Sequence, residues 1–166
     1  MKMKKSFMMS LAALFLFTSS LCMASANLDQ GTKTGIEAPS FSLKGIDGST
    51  VALSDMKGKN VMLFFFATWC PWCRKSIPDI IKNQPKLKKD NVEVLLIGAG
   101  ESKAKVASFA EKQEIPFNIL LDQDMKVSED FGVVGVPTYV LISKDGKVLY
   151  NGNDMPQDYR KLIAND

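Results

Sequence analysis

The sequence predicts an α/β fold, a three-layer sandwich with helices covering a central mixed sheet and a β-hairpin extension at the N-terminal end. Three observations carry this. Residues 61–66 and 92–97 are unbroken apolar runs, the pattern of strands covered on both faces. Helical patterns follow each run, so strand and helix alternate. Near the other end, Asp145-Gly146 sits between two strand patterns and marks a tight hairpin. After the first hairpin the order is β-α-β-α-β-α-β-β-α.

The first 26 residues stand apart. Lys2, Lys4 and Lys5 precede an apolar stretch, residues 7–17, and Ala24-Ser25-Ala26 supplies a small-x-small cleavage pattern. This is the composition of a secretory signal peptide, with residues 27–166 as the mature domain. An uncleaved anchor is the weaker alternative, because a spanning helix needs about 20 apolar residues. Lipidation of Cys22 is weaker still, since Leu21 is large for the position before a lipidated cysteine. Removing Lys2, Lys4 and Lys5 takes Lys+Arg from 21 to 18, equal to the 18 Asp+Glu, so the basic balance belongs to the leader. It gives no argument for a nucleic-acid partner.

Residues 27–39 read as a loose lead-in. Residues 41–43 and 51–53 form the hairpin around Gly45-Ile46-Asp47-Gly48, and residues 54–59 a single capped turn. Residues 61–66 are the central strand. A helix starts at Pro71, where the missing N–H costs nothing, and runs towards Leu87 with a kink expected at Pro78. Its Lys82, Lys86, Lys88 and Lys89 read as a solvated face. The strand at 92–97 should lie parallel to the central one. Gly98-x-Gly100 lacks the third glycine of a dinucleotide fingerprint. A helix at 103–113, a short strand within 116–122, a short helix at 125–131 stopped by Gly132, strands at 138–143 and 147–150, and a last helix at 156–164 complete the chain.

The chemistry lies in Trp69-Cys70-Pro71-Trp72-Cys73. An apolar strand delivers a C-x-x-C pair to the first turn of a helix. There an exposed sulfur meets unpaired N–H groups and the positive end of the macrodipole, both of which favour thiolate, the nucleophile of disulfide exchange. Cys70 reads as the attacking sulfur and Cys73, one turn inside, as the resolving one. The competing readings are an inert bridge or half a zinc site. Zinc needs about four ligands, and the chain has no histidine and, besides this pair, only Cys22, so no metal is expected. A bridge closing so short a loop would restrict the unfolded chain little. Once Cys22 leaves with the leader, both remaining cysteines sit in one motif, which is not how an exported domain staples its fold.

These features resemble the thioredoxin superfamily, and within it the exported TlpA/ResA-like thiol-disulfide oxidoreductases. The carriers are residues 53–59, residues 66–74, Pro78, Gly100-Glu101-Ser102 and Gly135-Val136-Pro137-Thr138. The resemblance implies a thioredoxin-like sandwich and a cis Pro137 facing the dithiol. With that bond cis, the Val136 backbone would be free to pair with a substrate strand. Glu101 matches a glutamate near the cysteine pair and would take the proton of Cys73; the alternative is an ordinary acid at a helix start. Phe64 stands where thioredoxins carry a buried aspartate, and Pro71-Trp72 replaces their Gly-Pro. Trp69 and Trp72 read as an apolar docking rim for substrate, with core aromatics as the alternative.

The expected activity is disulfide reduction on exported proteins, in the periplasm or on the outer face of the cytoplasmic membrane, with cytochrome c maturation as one family role. The expected partners are protein disulfides and dithiols, plus an integral-membrane thiol transporter that recycles the pair. No cofactor and no nucleic acid are expected, and the chain reads as a monomer. The rivals are a dithiol oxidase of the same fold and a redox-inert protein-binding module; a thiol peroxidase fits the strand–C-x-x-C layout less well.

Overall fold

The fold is built around one strand. The computed structural model describes residues 34–165; the expected signal peptide, Cys22 and residues 27–33 lie outside them. The strands are β1 (Ser42–Gly45), β2 (Thr50–Ala52), β3 (Asn60–Phe66), β4 (Val92–Ala99), β5 (Ile119–Asp122), β6 (Thr138–Ile142) and β7 (Val148–Gly152). They form one mixed sheet in the order β2-β1-β5-β4-β3-β6-β7. All seven residues of β3 are buried. It pairs in parallel with β4 from Asn60↔Val92 to Phe66↔Gly98, and antiparallel with β6 from Val61↔Ile142 to Phe65↔Thr138.

The alternation of β3 sorts the core into two layers. Met62, Phe64 and Phe66 pack against α1 (Pro71–Lys89), α2 (Lys103–Lys112) and Tyr159 at the start of α4 (Tyr159–Ala164). Val61, Leu63 and Phe65 face the other way, onto Phe41, Val127 and Phe131 around α3 (Lys126–Asp130). The expected three-layer, thioredoxin-like sandwich is therefore what the chain forms. The N-terminal hairpin joins the sheet: β1 pairs antiparallel with β5 through Lys44↔Leu121 and Gly45↔Leu120. At Gly45 a Cβ would run into the Asn118 side chain, which would have to move aside.

Among the boundaries that differ from the sequence reading, three bear on the core and the site. α1 continues to Lys89 with both Pro78 and Pro85 inside it. Its buried stripe of Ile77, Ile80 and Leu87 holds it to the sheet where proline removes backbone bonds. β4 runs on to Ala99, carrying the chain to Gly100 and Glu101. α4 begins at Tyr159 rather than Pro156, with Asp158 as its N-cap. The parallel pairing of β3 with β4, the Asp145-Gly146 hairpin and the stop at Gly132 (φ 63°) are as expected.

Candidate active site

β3 ends at Phe66, and Ala67-Thr68-Trp69 carries the chain to the start of α1. Cys70 is the N-cap residue of that helix and Pro71 its first residue. Cys70 has extended backbone angles (φ −78°, ψ 115°), and its Sγ accepts the Cys73 N–H at 3.2 Å. The sulfur thus takes the place that a serine or aspartate oxygen holds in an ordinary cap. A negative charge on it would face a backbone donor and the positive helix end. Cys70 and Cys73 are joined as a disulfide, with Cα atoms 5.3 Å apart.

The sequence reading expects Cys70 exposed, and the structure corrects this. In the disulfide form Cys70 is 2 % exposed and Cys73 fully buried. The segment at Val136 covers the Cys70 sulfur. Its Sγ lies 3.5 Å from the Val136 carbonyl oxygen, a contact in which a thiol would be a weak donor.

The Val136-Pro137 peptide bond is cis, as the resemblance implied. Hydrogen bonds on both sides hold this segment. Thr138 Oγ1 donates to the Gly135 carbonyl at 2.7 Å, and Asn153 Nδ2 donates to the Pro137 carbonyl at 2.8 Å. Pro137 leads into β6, whose first residues pair with the end of β3, so sheet register sets Pro137 beside the dithiol.

Glu101 is buried, and it meets the dithiol loop through Thr68. Its two carboxylate oxygens accept the Thr68 N–H at 2.6 Å and the Thr68 hydroxyl at 2.7 Å. The Thr68 carbonyl in turn accepts from Arg74 Nε at 3.0 Å and Nη2 at 2.8 Å. Among the described residues no hydrogen bond joins Glu101 to either sulfur. Thr68 and Arg74 are parts of the site that the sequence reading gave no role. Their only signal was a threonine closing an apolar run and an arginine one residue beyond the second cysteine.

Trp69 and Trp72 are 69 % and 67 % exposed and flank the dithiol, which excludes the core alternative. Tyr139, on β6 behind α1, has its phenol pushed above the usual range by burial, against the pull of a Ser76 hydrogen bond. No group of three His, Cys, Asp or Glu that could hold a metal occurs among the described residues. None of their helices is long and apolar enough to cross a membrane.

Comparison with known proteins agrees with this geometry. The model of the AhpC/TSA family matches residues 34–151. The thiol-disulfide oxidoreductase ResA of Bacillus subtilis (strain 168) is 37 % identical over 134 residues, covering 78 % of this chain and 75 % of that protein. A crystal structure from Chlorobium tepidum, provisionally named as the thiol:disulfide interchange protein DsbE, superposes with TM-score 0.72 at 31 % identity, covering 80 % and 96 % of the two chains. A thiol:disulfide interchange protein of the thioredoxin family from Chlorobium tepidum TLS gives TM-score 0.66 at 27 % identity, with coverages of 80 % and 96 %.

Proposed function

The chain belongs to the AhpC/TSA family of the thioredoxin superfamily and is a thiol-disulfide oxidoreductase, and from that premise we propose that it works as a reductase of disulfides in exported proteins. The observation that carries this is the Cys70 sulfur standing as the cap of α1 and accepting the Cys73 N–H beside Val136 and Pro137.

The reduced enzyme begins as a dithiol. The Cys70 thiolate attacks one sulfur of a substrate disulfide, and the other substrate sulfur leaves as a thiolate that takes up a proton. Cys73 then loses its proton, its thiolate attacks the Cys70 sulfur, and the second substrate sulfur leaves. Two electrons pass to the substrate, and the enzyme ends as its own disulfide. Helix-start donors favour the charged form of Cys70 in the first step and of its leaving sulfur when the enzyme is itself reduced.

Glu101 acts as the base for the Cys73 proton. Each of its oxygens keeps a free lone pair beside the bond it accepts from Thr68. Val136 offers its backbone to an extended substrate strand, with Pro137, Pro71, Trp69 and Trp72 as the surface around it. The leader pattern supports a mature domain, residues 27–166, that works in the periplasm or on the outer face of the cytoplasmic membrane. An integral-membrane thiol transporter recycles it, and a disulfide between the cysteines of an apocytochrome c, reduced to thiols, is one substrate class. The chain acts as a monomer without cofactor or metal.

The rival with the same parts is a dithiol oxidase. The reduction potential of the Cys70/Cys73 couple, measured against glutathione, separates the two. A reductase requires a value near that of thioredoxin, about −270 mV; a value near −120 mV would make the chain an oxidant.

A further inference from the structure

We propose that the surface around the dithiol is two-sided, selecting substrate polypeptides whose cysteine has a bulky apolar residue on one flank and a lysine or arginine on the other. The inference rests on the oxidoreductase reading and names the substrate class that the site takes. Of the five large apolar side chains most exposed among the described residues, four surround the dithiol: Trp69, Trp72, Met125 and Val134. They are not spread evenly.

On one side, Trp69, Met125 and Val134 line a mostly apolar groove of about 310 Å³ that includes Gly100 and Val136. Gly100 (φ 68°) is part of its construction, because a Cβ there would lie 3.1 Å from the Met125 sulfur. On the other side, Trp72 and Pro137 border a cleft of about 380 Å³ with Lys75, Ser76, Asp79 and Asp154. This cleft continues along α1 past Tyr139 and Asn83, still between Asp79 and Asp154. Val136 lines the first groove and Pro137 the second, so one peptide bond is the ridge between them.

A strand that crosses that ridge with its cysteine at Cys70 carries the residues before and after the cysteine over different grooves, one beyond Val136 and the other beyond Pro137. The apolar flank enters the groove of Trp69, Met125 and Val134. The other flank meets two carboxylates, neither in an ion pair among the described residues. Among the described residues that line this cleft the one cation, Lys75, is drawn over the Trp72 ring, with its Nζ 5.7 Å from the centroid. The balance is negative, which fits a basic side chain and repels an acidic one.

The test uses the reduced mature protein and short capped peptides, each with one cysteine held in a mixed disulfide with 2-mercaptoethanol. The flanks are Phe with Lys, Phe with Glu, Phe with Ser and Ser with Lys, in both orders, and second-order rates of reduction are read by quenched flow and mass spectrometry. In the better order, the Phe/Lys peptide should react about five- to tenfold faster than Phe/Glu at low salt, the gap narrowing as salt rises. The Asp79→Asn, Asp154→Asn double variant should bring that ratio to about one, and Met125→Glu should erase the advantage that Phe gives. Lys and Glu peptides reduced within twofold of each other in both orders would overturn the proposal while leaving the oxidoreductase standing. A ratio that survives loss of both carboxylates would overturn it too. No reduction of any peptide, nor of 2-hydroxyethyl disulfide, would remove the oxidoreductase reading itself.

Discussion

Thr68 gives both its donors to Glu101 and its carbonyl to Arg74, so one residue of the dithiol loop is tied to the segment between β4 and α2 and to the first turn of α1. Two roles for Glu101 follow, and two substitutions separate them. Glu101→Ala leaves the half-buried Thr68 donors without their partner and should cost about 1–3 kcal/mol in urea denaturation. Glu101→Gln keeps an oxygen for the Thr68 N–H and an amide group for the hydroxyl, so its stability should stay within about 1 kcal/mol of wild type. It cannot take a proton, so the resolving step, followed as decay of a mixed disulfide, should slow by about a hundredfold. A resolving rate unchanged in Glu101→Gln would reduce the residue to a loop anchor. Cys70 and Cys73 were legible because their chemistry is written in local spacing. The Thr68–Glu101 contact was not, because it joins residues 33 apart through a turn that no periodicity describes.

β3 owes its place to seven consecutive buried residues, and the aromatic ones do most of the packing. Phe64 is fully buried, 6.0 Å from Phe66 and 4.7 Å from Tyr139 between ring centroids. Phe64→Ala should cost about 3–5 kcal/mol, read as a drop in the urea midpoint with little change in slope. A loss under 1 kcal/mol would mean that the layer above β3 repacks freely. Strands such as β3 and β4 could be read from sequence because burial on both faces leaves an unbroken apolar run. The docking of β1 on β5 could not, since Lys44↔Leu121 is a distant pairing in a short strand with little apolar pattern. α1 ran past its expected end for a related reason. Pro78 and Pro85 argue locally for a break, but the stripe from Ile77 to Leu87 is decided by contact with the sheet.

Across the whole molecule, the end of the chain is fastened to the end of α1. Asp90, the C-cap of α1, accepts from Arg160 Nε at 2.7 Å and from the Tyr159 hydroxyl at 2.6 Å. These two bonds, Arg160 first, hold its carboxyl below the ordinary value of 3.8. A carboxyl lowered in the folded state stabilises above its unfolded value, and that contribution is lost as the pH falls through the folded value. Asp90→Asn should therefore be less stable than wild type at neutral pH, with the gap closing as the pH is taken below 3.8 in paired urea titrations. A gap independent of pH would contradict this. Overall architecture was readable from element order alone. The two grooves beside the dithiol were not, because Asp79, Met125 and Asp154 come from three distant stretches that only the folded sheet brings to one rim. The central claim is the division of labour between the two sulfurs, and intact-mass measurement of a mixed disulfide tests it most directly. With a disulfide peptide, Cys73→Ser should accumulate a covalent adduct mapped to Cys70, and Cys70→Ser should accumulate none. An adduct mapped to Cys73, or equal adducts in both variants, would contradict the account.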